Sequence, residues 1–145
     1  MICLDASVAV KLILSEEWSE LALALYRATI RSGEPIVAPQ LLWMEVTNTL
    51  RQRMRLPGGP SLAEASWLLD RFLALEITVL DPPGLHQRAL ALADGLGLPA
   101  TYDAHYLALA ERQGCEFWTD DRRLIRLVGN RLPYLRRIED YSVTI

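Results

Sequence analysis

The chain has little of the chemistry that metal and redox sites usually draw on. Its 145 residues hold one lysine, Lys11, two histidines, His86 and His105, and two cysteines, Cys3 and Cys115. With no Cys-x-x-Cys pair and so few imidazoles, a Cys/His zinc site has almost no ligands to recruit. No stretch approaches the roughly 18 uncharged apolar residues of a membrane span. An acid arrives at Asp5, too early for a secretory leader, so the expectation is a cytoplasmic protein with reduced thiols and no membrane partner. GxxxxGK, GxGxxG and GxSxG are all missing, which removes glycine-rich phosphate cradles and the serine-hydrolase elbow. Positive charge is not in excess either. Fifteen Lys plus Arg face 18 Asp plus Glu, a net charge of -3, which argues against a broad basic face that coats a duplex.

What is present is a composition that folds. With 51% hydrophobic and 23% charged residues, the chain is expected to bury a sizeable core as a single domain over residues 1–145. Short apolar runs of strand type stand at Ile2–Leu4, Ile36–Ala38, Ile77–Leu80 and Glu116–Trp118, with a last one at Tyr134–Ile138. Between them, helical periodicity covers 8–14 with Ser7 as its cap, then 17–31, 39–54, 62–75, 85–96, 101–113 and 120–128. The break Leu56-Pro57-Gly58-Gly59-Pro60-Ser61 folds two of these helices into a protruding hairpin. Strands alternating with helices predict a doubly wound α/β fold, with a mostly parallel sheet of about five strands and helices on both faces.

In such sheets ligands bind beyond the carboxyl ends of the strands, where strand order reverses. Asp5, Asp81 and the pair Asp120-Asp121 follow three of the strands. Each alone has an ordinary explanation: Asp120 as a helix cap, Asp121 and Asp103 in first turns that favour negative charge, Asp81-Pro82 as turn chemistry. Glu45 and Asp103 are harder to explain, because each lies beside an apolar helical row where a lone carboxylate is costly. Acids from two helices and two strand ends would gather with no lysine or histidine to neutralise them. A divalent cation is the economical answer. Oxygen ligands without Cys or His select Mg2+, with Mn2+ as the alternative, and such ions are the usual apparatus of phosphodiester hydrolysis.

Four segments then resemble a family. Asp5-Ala6-Ser7 after the first strand, Glu45-Val46-Thr47-Asn48 in a helix, Tyr102-Asp103-Ala104-His105-Tyr106 and Trp118-Thr119-Asp120-Asp121-Arg122-Arg123-Leu124 look like the four motifs of PIN-domain ribonucleases. They are most similar to the VapC toxins of toxin–antitoxin pairs, over residues 2 to about 138. The resemblance implies a PIN-like fold and an endoribonuclease leaving 5'-phosphate and 3'-hydroxyl ends. It implies Mg2+ held by Asp5, Glu45, Asp103 and Asp121, with Asp120 as either a fifth ligand or a cap. Ser7, Asn48 and Thr119 match polar positions around the family's site. It further implies an RNA substrate, a cognate VapB-type antitoxin and a homodimer.

The arginines suggest where RNA would lie. Arg51, Arg53 and Arg55 follow Glu45, and Arg122, Arg123 and Arg126 follow Asp121; Arg51, Arg122 and Arg123 are the expected rim that holds phosphates. Removing the four metal-ligand acids from the sum leaves the rest of the chain at +1, so the acidity reads as a concentrated site. Trp67 sits off its helix's apolar stripe of Ala65, Leu68, Leu69, Phe72 and Leu73 and hints at an interface, whereas His105 and the two cysteines read as structural. A receiver domain would need paired acids after the first strand and a late lysine, and a haloacid-type phosphatase an Asp-x-Asp. A PIN-like module without catalysis, and a PIN nuclease without antitoxin, remain the alternatives.

Overall fold

The computed structural model describes residues 1–143, so the last two positions of the expected domain, 144 and 145, lie outside the described residues. Five strands, β1 (Ile2–Leu4), β2 (Ile36–Ala38), β3 (Thr78–Val79), β4 (Glu116–Thr119) and β5 (Leu135–Arg137), form one sheet in the order β3-β2-β1-β4-β5. Every pairing is parallel, so the sheet is wholly and not mostly so. In the register, Cys3 lies between Val37 and Phe117. All residues of β1 and β2 are buried. Since successive strand residues face opposite sides, unbroken burial means that both faces are covered.

The covering elements are α1 (Ala6–Ala9) with a 3-10 turn at Val10–Leu12, α2 (Ser19–Arg31), α3 (Leu41–Met54), α4 (Leu62–Leu73), α5 (Leu85–Leu96), α6 (Tyr102–Gln113) and α7 (Arg122–Val128). A second 3-10 turn, Ile138–Asp140, follows β5. Helix α6 is the most deeply set: Ala104, Tyr106, Leu107, Ala108, Leu109 and Ala110 are all buried. Its alanines let it pack closely on α5 and against β1 and β4. Helices α3 and α4 pack as the expected hairpin. A capping box between Ser61 and Glu64 starts α4. A Cβ on Gly59 would run into the Arg53 carbonyl, so the hairpin turn requires glycine there.

Four details depart from the sequence reading. Asp5, not Ser7, caps the first helix: its carboxylate accepts the Val8 N–H, and the α-helical part ends at Ala9. Asp121, not Asp120, caps α7, which starts two residues later than expected. β3 shrinks to two exposed residues because it is an edge strand with one neighbour. Leu73, assigned to the apolar stripe of α4, is exposed near that helix's end. Among the described residues no helix is long and apolar enough to cross a membrane.

Candidate active site

The chain order departs from β1 to β2 and β3 on one side and returns to β4 and β5 on the other, so the reversal lies between β1 and β4. A cavity of about 310 Å³ opens at the carboxyl ends of these two strands, lined by Asp5, Glu45, Asp103, Asp120 and Asp121. This is the crevice the fold class reserves for ligands. Asp81 is exposed and not part of it, because β3 stands two strands away from β1.

Asp5 anchors the floor. Its Oδ1 accepts from the Ser7 hydroxyl at 2.6 Å and from the Val8 N–H at 3.2 Å, and its Oδ2 accepts from the Thr119 hydroxyl at 2.5 Å. Both hydroxyls also hold the loop after β4: Ser7 Oγ accepts the Asp120 N–H at 2.8 Å, and Thr119 Oγ1 accepts the Asp121 N–H at 3.0 Å. The ends of β1 and β4 are therefore laced together by the two polar side chains that the sequence had placed around the site. Asp121 Oδ1 accepts the N–H groups of Arg123 and Leu124, each at 3.0 Å. Glu45 reaches in from α3 and takes the Tyr106 hydroxyl on Oε1 at 2.6 Å. Tyr106 is fully buried and stacks on Phe117, so this donor is rigidly placed.

The electrostatics mark these acids as mutually strained. Burial pushes the Asp5 carboxyl up to about 7, and Asp103 pushes in the same direction, against the hydrogen bonds from Ser7, Thr119 and Val8. Asp103 is pushed up to about 6 by burial and by the charges of Asp121 and Glu45, with Arg123 opposing. Burial also raises Glu45, against the Tyr106 hydrogen bond. Burial and then Glu45 in turn raise the Tyr106 phenol, keeping it a donor. Three carboxyls in one cavity are thus held above their usual range by burial first and by one another's charge second. Among the described residues, no group of three acidic, His or Cys side chains is gathered tightly enough to grip an ion as it stands. Asp5, Glu45 and Asp121 lean instead on the protein donors named above. The donor set, all carboxylate oxygen, still fits a hard divalent cation and no soft one.

The expectation that no lysine reaches the cluster fails. Lys11 Nζ contacts Asp120 Oδ2 at 2.9 Å and Glu16 Oε1 at 3.2 Å. Glu16 and Arg53 also line the cavity, and Arg53 Nη2 donates to Glu16 Oε2 at 2.7 Å. Lys11, Glu16, Thr49 and Tyr106 carried no role in the sequence reading; the signal for Lys11 was its being the lone lysine.

Several expected residues do not line the cavity. Asn48 and Arg51 are exposed and do not line it; the helical turn presents Thr49 and Arg53 there instead, one and two positions further on. Arg123 borders an adjoining cleft of about 180 Å³ with Asp103 and Asp121. Arg122 is exposed, 3.6 Å from Glu17. His105 faces away from the acids, bonded to the Thr101 carbonyl and to His86. Cys3 and Cys115 are buried and free. Trp67 is 58% exposed, with the Arg71 guanidinium over its ring at 4.9 Å.

The fold and cavity have counterparts among known proteins. The chain is similar to PAE2754 from Pyrobaculum aerophilum, at 26% identity and a TM-score of 0.67, over 95% of this chain and 89% of that one. It also shares the fold of a chain in a toxin–antitoxin complex from Klebsiella pneumoniae, at 16% identity and a TM-score of 0.65, over 95% and 98% of the two chains. No curated protein matches it. The PIN domain family model matches residues 2–130, which contain every acid of the cavity. The chain belongs to the PIN domain family.

Proposed function

We propose that this PIN domain is a divalent-cation-dependent endoribonuclease and the toxin of a toxin–antitoxin pair. The observation that carries the nuclease reading is the cavity at the β1/β4 switch point, where four carboxylates from four elements share one space and burial, with neighbouring acids adding to it, raises Asp5 and Asp103. Asp5, Glu45, Asp103 and Asp121 would hold Mg2+, or Mn2+ in its place. When bound, such an ion would supply Lewis acidity, lowering the pKa of a water and offsetting charge on the phosphoryl oxygens.

The remaining residues prepare that chemistry. Ser7 and Thr119 fix the Asp5 carboxylate by a hydrogen bond to each oxygen, and Tyr106 fixes Glu45. Arg53 at the cavity and Arg123 beside it are the cations placed to hold RNA phosphates on either side of the acids, with Arg122 further out. Arg53 takes the place on the rim that the sequence assigned to Arg51.

The toxin reading is supported by the four motifs and by the shared fold with a chain of a toxin–antitoxin complex. It entails a VapB-type antitoxin as partner and a homodimeric toxin. The purified protein should cut RNA in Mg2+ to fragments with 5'-phosphate and 3'-hydroxyl ends and should not cut in EDTA. Fragments of other end chemistry, or cleavage that persists in EDTA, would refute the metal-dependent mechanism. Co-expression with the product of an adjacent antitoxin-sized reading frame should suppress cleavage; no such frame beside the gene would remove the toxin reading and leave the nuclease.

A further inference from the structure

Lys11 is the chain's sole lysine beside 14 arginines, and it is only 4% exposed. A buried ammonium is costly unless its protons find acceptors. Here it has two acceptors, the Glu17 carbonyl at 2.7 Å and Glu16 Oε1 at 3.2 Å, and a further ion-pair partner in Asp120 Oδ2 at 2.9 Å. Glu16 continues the chain to Arg53. Charges of alternating sign thus run along one wall of the acid cavity, from the loop after β4 to the end of α3. Asp120 is held at a second point by its own N–H on Ser7 Oγ. Two of the carboxylates lining the cavity, Glu16 and Asp120, are therefore neutralised within the protein, while Asp5, Glu45, Asp103 and Asp121 make no ion pair among the described residues.

We infer that Lys11 is a positioning residue that commits Asp120 to an internal ion pair and so keeps a fifth carboxylate from the cation, limiting the ligand set to four acids. This rests on the reading of the cavity as a divalent-cation site. Asp120 is the sequence neighbour of Asp121 and lines the same space, so without Lys11 its full negative charge would face the ion. The lysine sets how strongly the cavity holds a cation.

The test is a four-protein charge cycle read by calorimetric titration of the full chain with Mn2+, with thermal unfolding measured alongside. The Lys11–Asp120 pair is neutral in the wild type, negative in Lys11→Met, positive in Asp120→Asn and neutral again in the double variant. Affinity should rise about tenfold in Lys11→Met, fall about tenfold in Asp120→Asn, and return to within about threefold of wild type in the double variant. A purely structural lysine would lower the melting temperature of Lys11→Met without tightening Mn2+ binding, and that result would overturn the inference. If Asp120 is itself a ligand, Asp120→Asn and the double variant will lose binding alike, which overturns it equally. Should Lys11→Met fail to fold, the remaining comparison decides, since the double variant must bind more tightly than Asp120→Asn. The underlying reading fails separately. A wild type that takes up no Mn2+, or an Asp5→Asn variant that binds as well as wild type, removes the cation site and this inference with it. Loss of binding in Asp5→Asn, with the wrong order in the cycle, removes this inference alone.

Discussion

Replacing Asp5 by Asn should make the metal-free protein more stable at pH 8 while destroying its cation site. The Asp5 carboxyl lies at about 7 in the fold, against a reference of 3.8. The native state therefore binds more protons than the unfolded chain between about pH 4 and 7. Stability conferred by the neutral acid is full below the reference value and drains away as pH rises through 7. Above that, ionised Asp5 costs the fold about 4 kcal/mol at 1.36 kcal/mol per unit. Asparagine removes the charge but keeps the shape. It gives up one of the three incoming hydrogen bonds, because its NH2 would meet the Thr119 hydroxyl, which now donates to Asp5 and accepts from Asp121. A hydrogen bond to a charged group contributes about 1.5 to 3 kcal/mol, leaving a net gain of about 1 to 3 kcal/mol. For a domain of this size that raises the melting temperature by roughly 3 to 10 °C. The assay is thermal unfolding by circular dichroism in EDTA at pH 5 and pH 8. The gain should be present at pH 8 and lost at pH 5, where native Asp5 is already neutral. Adding Mg2+ should raise the melting temperature of the wild type and not of the variant. A variant that is less stable than wild type at both pH values would refute the reasoning.

Other substitutions probe neighbouring groups. Thr119→Val leaves Asp5 Oδ2 and the Asp121 N–H without their shared, fully buried hydroxyl, and should cost about 1 to 3 kcal/mol in denaturant unfolding. Tyr106→Phe keeps the ring on Phe117 but removes the donor to Glu45; Mn2+ affinity should fall about tenfold with the fold intact by circular dichroism. Arg123→Glu should weaken RNA binding and reduce the salt slope of log K by about 1, read by fluorescence anisotropy with a catalytically inert Asp103→Asn background.

The architecture was readable because the β strands punctuate the chain as short apolar runs between amphipathic helices. Glycines at positions such as Gly114, where φ is +64°, end the helices cleanly. The acids of the site were readable because Glu45 and Asp103 violate their helices' apolar rows, and a carboxylate in that position needs a reason. The polar lacing of Ser7 and Thr119 was legible only as motif, since which oxygen each hydroxyl serves depends on how β1 and β4 pair. The caps were misassigned by one or two residues because Asp5-Ala6-Ser7 and Asp120-Asp121 each offer two capping side chains, and tertiary contacts choose between them. Asp120 is drawn off by Lys11, 109 positions earlier in the chain, which no local pattern reveals. Arg53 rather than Arg51 meets the cavity because two residues turn a helix by about 200°. Of the three arginines that follow Glu45 in the sequence, Arg53 is the one that lines the cavity.

The central claim is that the carboxylates of the β1/β4 cavity act through a divalent cation on RNA. It is tested most directly by single-turnover RNA cleavage across a Mg2+ titration, with wild type and Asp103→Asn side by side. Asp103 lines the cavity, and burial together with the charges of Asp121 and Glu45 holds its carboxyl at about 6. The wild type should show a saturable dependence on Mg2+ and no cleavage in EDTA, and Asp103→Asn should lose at least about a hundredfold in rate at every Mg2+ concentration. Equal rates in the two proteins, or a wild-type rate indifferent to Mg2+, would contradict it.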